Sequence, residues 1–329
     1  MSSSVIRWFV LLSALFVPLG RSAERPLAPG TQPQLLGDIG AGEGPVWHPD
    51  GYLLFTGGGK ITRRDPDGHV SIFRNAAGGA NGLLFDAEGR LVTCESANRR
   101  VTRTERDGTI TVLADRFDGK RFNTPNDLTI DSKGRIYFTD PRYGPPDNME
   151  MRDDSGALIE GVYRIDGPGK VARVIGRELE RPNGILVAPD DRYLYVADNN
   201  NNTVGGARKL WRFDLNADGS VKLSTRKLIF DWHDARGPDG FKMDRASRLY
   251  VAAGLTRANP PYETAGKLKG GIYILSPQGE LLDFVAIPRD EVTNCAFGGT
   301  DRKTLYITAG GTLWSLPVTT PGYTRFGGR

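Results

Sequence analysis

The sequence predicts an all-β fold, a six-bladed β-propeller closed by an N-terminal strand. Three observations predict it: a strand–turn–strand unit that recurs six times, a spacing typical of propeller blades, and almost no helical periodicity in 329 residues. The clearest copy is PNDLTIDSKGRIYFTDP at 125–141. A polar pair opens it, apolar and polar residues alternate, and the turn DSKG leads into a second alternating run.

The other copies follow in chain order. They are GEGPVWHPDGYLLFTGG at 42–58, GANGLLFDAEGRLVTCES at 79–96 and RPNGILVAPDDRYLYVADN at 181–199, then GPDGFKMDRASRLYVAAG at 237–254 and VTNCAFGGTDRKTLYITAG at 292–310. Their spacing is roughly 40 to 57 residues, one blade each. The runs are rich in Val, Ile, Leu, Tyr and Phe, which suit strands. A second hairpin follows each pair, as in GVYRIDGPGKVARVIG at 161–176 and GIYILSPQGELLDFVAI at 271–287, giving four strands per unit. The last copy is one strand short after TLWSLPV, and QPQLLGDIG at 32–40 has no hairpin partner. Pairing the two completes the sixth blade and removes an open edge.

The first 23 residues read differently. Arg7, an apolar run from Trp8 to Leu19 and small residues at Gly20, Ser22 and Ala23 make a secretory signal pattern, too short for a comfortable membrane span. The expected organisation is a signal peptide at 1–23 and a single propeller domain at 24–329, exported to the periplasm or medium. A net charge of +4, with no basic block, argues against nucleic acid as a partner. Cys94 and Cys295 sit in apolar strand-like runs, so packing as free buried thiols is favoured over a bridge.

In a propeller the first strand of each blade lines the central channel. The polar residue opening it is Glu43, Asn81, Asn126, Asn183, Asp239 or Asn294, so six blades bring six oxygen-bearing side chains to one level. Two roles compete for such residues. They can cap local turns, or they can form a site for a hard cation, since carboxylate and amide oxygens without thiolate or imidazole suit Ca²⁺. The longest inter-strand loops, 141–160, 199–209 and 255–270, fall at the same end, which places binding there.

GEGPVW, NTPNDLTI…GRIYFTDPRYG, RPNGI…LYVAD, GPDGFKMD and NCAFGG…TLYITA together resemble the gluconolactonase and senescence-marker-protein (regucalcin-like) family, from about Glu43 to Ala309. The resemblance implies metal ligation by Glu43, Asn126, Asn183 and Asp239. Asp127 matches an acid standing behind the ligands, while Asn81 and Asn294 have no secure ligand role in the family and are expected behind the ligands or against the substrate. It also implies hydrolysis of a lactone or related activated ester, with one divalent cation (Ca²⁺ first, Zn²⁺, Mn²⁺ or Mg²⁺ as alternatives) and Asp239 as general base or nucleophile. Members acting on sugar lactones carry an arginine two residues before the asparagine of the ND pair, where this chain has Thr124, with Arg121 further back. Arg142 and Tyr143 are expected at the mouth. His48, His69 and His233 are expected on the surface, and GxSxG is absent. The competing readings are a non-catalytic, calcium-stabilised propeller that binds a ligand or partner, and phosphotriester chemistry at the same metal.

Overall fold

The computed structural model describes residues 25–144 and 146–326; the signal-like segment at 1–23 lies outside the described residues. Six four-stranded antiparallel sheets stand around one axis. Their inner strands are Glu43–His48, Ala80–Phe85, Leu128–Ile130, Pro182–Val187, Phe241–Met243 and Val292–Gly298, and each packs against the next around the channel. The sixth sheet is closed as expected. Gln34–Ala41 pairs with Gly311–Pro317, for example Gln34 with Ser315 and Leu35 with Trp314.

Burial follows from the architecture. Second strands such as Leu91–Glu95, Ile136–Asp140 and Leu249–Ala253 are buried along their whole length, because neighbouring blades cover both faces. Outer strands such as Leu281–Ala286 are half exposed. The cores therefore lie between blades. Val92, Cys94 and Val101 of blade 2 pack with Leu128, Phe138 and Tyr163 of blade 3. Cys295 belongs to the separate core shared by blades 5 and 6, so the two cysteines are free and buried.

The glycine that follows a ring residue in four copies has a packing reason. At Gly184 a Cβ would overlap the backbone carbonyl oxygen of Asp239, where the inner strands of blades 4 and 5 meet. Gly184→Ala is expected to cost about 2 kcal/mol or more through that clash. A denaturation midpoint equal to that of the wild type would refute the close-approach explanation.

Two features were not legible in the repeat. A two-stranded ribbon, Arg116–Phe117 with Lys120–Arg121, precedes blade 3, and a single 3₁₀ turn spans Pro146–Asn148. At the tight-turn end, the C-terminal segment crosses the channel. The Tyr323 amide donates to the carbonyl of Met243 (2.9 Å), and Arg325 donates to the carbonyls of Ile130 (2.8 Å) and Ala188 (3.1 Å). His48 lies here and corrects the expectation of a surface histidine. Its ring stacks on Tyr52 and packs against Phe85 and Phe326, at the opposite end of the channel from the polar ring. His69 and His233 are exposed. No helix among the described residues is long and apolar enough to cross a membrane.

Candidate active site

The ring residues start their strands at one end of the channel. A cavity of about 430 Å³ opens there, lined by Glu43, Asn81, Asn126, Asn183 and Asp239, with Thr124, Tyr143, Arg236 and Glu291 on its walls. This volume accommodates a small-molecule ring. Asn126 and Asp239 sit two residues ahead of their short inner strands rather than within them. The ring backbone is tied across blades. Thr56 Oγ1 donates to the carbonyl of Asn81 (2.9 Å), Thr139 Oγ1 to that of Asn183 (2.7 Å) and Ser96 Oγ to that of Pro125 (2.5 Å).

The side chains differ in how much of their bonding capacity is used. Glu43 Oε2 accepts from the Gly44 amide (2.9 Å) and from Asn294 Nδ2 (3.0 Å), so Asn294 stands behind Glu43 instead of on the cavity wall. Asn183 spends Nδ2 on the Tyr143 hydroxyl (2.8 Å), which turns its carbonyl oxygen the other way. Tyr143 is in turn held over Arg181 (5.8 Å), whose guanidinium is locked by Glu160 (2.8 Å). Asp127 is buried off the cavity and accepts from the Leu128 amide (2.8 Å) through Oδ1. Asp239 Oδ1, Asn81 Oδ1 and Asp127 Oδ2 are among the buried oxygens of the described residues that have no hydrogen-bond partner.

The electrostatics point the same way. Burial pushes the Glu43 carboxyl up to about 7, against the Asn294 hydrogen bond and with added repulsion from Asp127. Burial and then the charge of Glu43 push Asp239 well above the usual carboxylate range, opposed by Arg236. Acids held together and short of positive charge, with an unpartnered oxygen, fit a hard divalent cation. Glu43, Asn126, Asn183 and Asp239 would hold it. Among the described residues no group of three or more His, Cys, Asp or Glu is placed to bind a metal, so a donor set here draws on amide oxygens.

Arg142 does not line the cavity, contrary to expectation. Its amide donates to Glu160 (2.8 Å), and its guanidinium stays on that carboxylate (3.8 Å). Thr124 lines the cavity, but its hydroxyl is committed to the carbonyl of Pro141 (2.7 Å) and accepts from the Tyr143 amide (3.3 Å). Arg121 reaches the carbonyl of Asn98 and is absent from the lining. Sequence reasoning missed Arg236, Glu291 and Glu263. The available signal was Arg236, three residues ahead of Asp239 in RGPDG.

The profile of the SMP-30/gluconolactonase/LRE-like region matches residues 41–311. The chain belongs to this family. A gluconolactonase of Zymomonas mobilis is 32% identical over 295 residues, covering 83% of this chain and 77% of the relative. The solved gluconolactonase of Xanthomonas campestris is 30% identical, with a TM-score of 0.72 over 90% of this chain and 91% of its own. The calcium-binding regucalcin of Agrobacterium tumefaciens shares the SMP-30 propeller fold at 17% identity, with a TM-score of 0.68 over 89% of this chain and 96% of its own.

Proposed function

We propose that this SMP-30-family protein is an exported, calcium-dependent hydrolase of lactones or closely related activated esters. Lactone hydrolysis is supported by its gluconolactonase relatives. The observation that carries the mechanism is Asp239, buried at the cavity floor with Oδ1 unpartnered and Oδ2 turned toward Arg236 (3.7 Å). Glu43, Asn126, Asn183 and Asp239 would hold a divalent cation, which would supply Lewis-acid polarisation of the carbonyl and stabilisation of the developing oxyanion.

The chain's own residues do the rest. Asp239 takes a proton from a water that attacks the carbonyl carbon and returns it to the ring oxygen as the ring C–O bond breaks. Tyr143 is 44% exposed as a residue, but its hydroxyl end lies on the cavity wall, where burial and then the charge of Asp239 push it up and keep it protonated. Its hydroxyl accepts from Asn183 and fixes that amide. An ionised carboxylate near a cation is a modest base, which suits an activated ester better than an amide.

Chelation is the direct test. With glucono-δ-lactone and an aliphatic δ-lactone as substrates, chelator is expected to abolish turnover and added Ca²⁺ to restore it. The melting temperature is expected to fall by about 5 °C or more on removing a saturating ion that binds only the folded state. An unchanged melting temperature sinks the metal site. Calcium binding without turnover of any lactone leaves a binding module in place of an enzyme. Export rests on the 1–23 segment, and recovery of the intact Met1 terminus from the exported fraction or from the cytoplasm alone would overturn signal cleavage.

A further inference from the structure

Arg236 is the only Lys or Arg among the described residues lining the cavity, and it is buried. It meets three carboxylates at once: Glu291 at 2.9 Å, Glu263 at 3.6 Å and Asp239 at 3.7 Å. The first two come from different elements. Glu291 stands at the start of blade 6, and Glu263 lies in the 255–270 loop, fully buried, with its other oxygen taken by Asn259 Nδ2 (3.0 Å). A buried glutamate with no charge partner would be costly, and Arg236 supplies that charge to Glu263 Oε1 at 3.6 Å without a direct hydrogen bond. The guanidinium is therefore hydrogen-bonded to Glu291 and faces the Glu263 charge before it reaches Asp239. Its contact falls on Oδ2, and Oδ1 is the oxygen left without a partner.

We propose that Arg236 is a positioning residue that withholds one Asp239 oxygen from the cation, lowering metal affinity in order to keep that carboxylate available to a water. The proposal rests on the functional reading above. A guanidinium never loses its proton near neutrality, so the withheld oxygen faces a permanent positive charge. Without Arg236, both oxygens of Asp239 are free to turn onto the cation, and the wall loses the charge that repels it. Metal binding and catalysis should then move in opposite directions. A residue that only clasps blades 5 and 6 together would lower both.

The test is calcium titration calorimetry, with kcat at saturating Ca²⁺, on the full mature chain. Arg236→Met is expected to tighten Kd by about tenfold and to lower kcat by roughly 10²-fold. Arg236→Met/Glu263→Gln removes the orphaned buried acid and is expected to shift both readings the same way if the single variant folds poorly. Arg236→Lys keeps a charge against Glu263 and Glu291 but lacks the fork that also reaches Asp239, and it is expected to give the same signs at smaller size. A Kd that is unchanged or weaker in the folded variants overturns the proposal, and so does a kcat within about threefold of wild type. If the wild type binds calcium yet hydrolyses no lactone, the functional reading fails by itself and the calcium affinities alone decide Arg236. A wild type that binds no calcium overturns both.

Discussion

Asp239→Asn is expected to lower kcat for lactone hydrolysis by about 10³-fold at saturating calcium, while the propeller still melts cooperatively. The replacement keeps the shape and one ligating oxygen but removes the basicity and the negative charge. In the metal-free protein Asp239 is a destabilised acid, raised by burial and by Glu43. Neutralising it relieves that repulsion, so the chelated variant should melt no lower than the chelated wild type. The loss therefore belongs to chemistry and metal affinity rather than to folding. A kcat within tenfold of wild type would remove Asp239 from the reaction and leave it a ligand only. A cooperative transition lost in the variant would show that Asp239 holds the blades together, which its contacts do not suggest. The Asn variant keeps the side-chain volume, and the backbone amide of residue 239 still donates to the carbonyl of Ala252 (2.9 Å).

A chain that begins at Gly42 is expected to lose cooperative folding altogether. It lacks Gln34–Ala41, the strand that completes blade 6. Its removal leaves Gly311–Pro317 as a bare edge and uncovers Leu313 and Trp314, both buried in the intact protein. Ala41 also packs with Leu53, Phe55 and Leu313 where blades 6 and 1 meet, so the loss opens the ring at its seam. Unpaired strand edges with apolar flanks associate with other chains. Aggregation, or dye binding without a sharp melting transition, is the expected readout. A monomer melting within about 5 °C of the full-length protein would show that closure contributes little.

The recurring part of the site was legible because a propeller turns sequence period into spatial level. Each copy places the same position at the same height on the axis, so the sequence period alone brings Glu43, Asn81, Asn126, Asn183 and Asp239 together at the cavity. Asn294 shows the limit of that argument. It shares the period, yet its amide is spent on Glu43 and it stays off the cavity wall. Periodicity gives the height of a residue and not which way its amide turns.

What the chain determined by itself was the six-bladed architecture, the strand that closes it and the polar ring at one end. Those follow from alternation, turn chemistry and repeat length, all of which are local or periodic. Tertiary structure alone decided the rest of the wall. Arg142 faces Glu160 while its neighbour Tyr143 reaches Asn183, although both occupy the same loop. Arg236, Glu263 and Glu291 meet at one guanidinium from three unrelated segments. Loop residues share no period, and a buried charge settles wherever the folded chain offers it a partner. That partner exists only once the blades have closed.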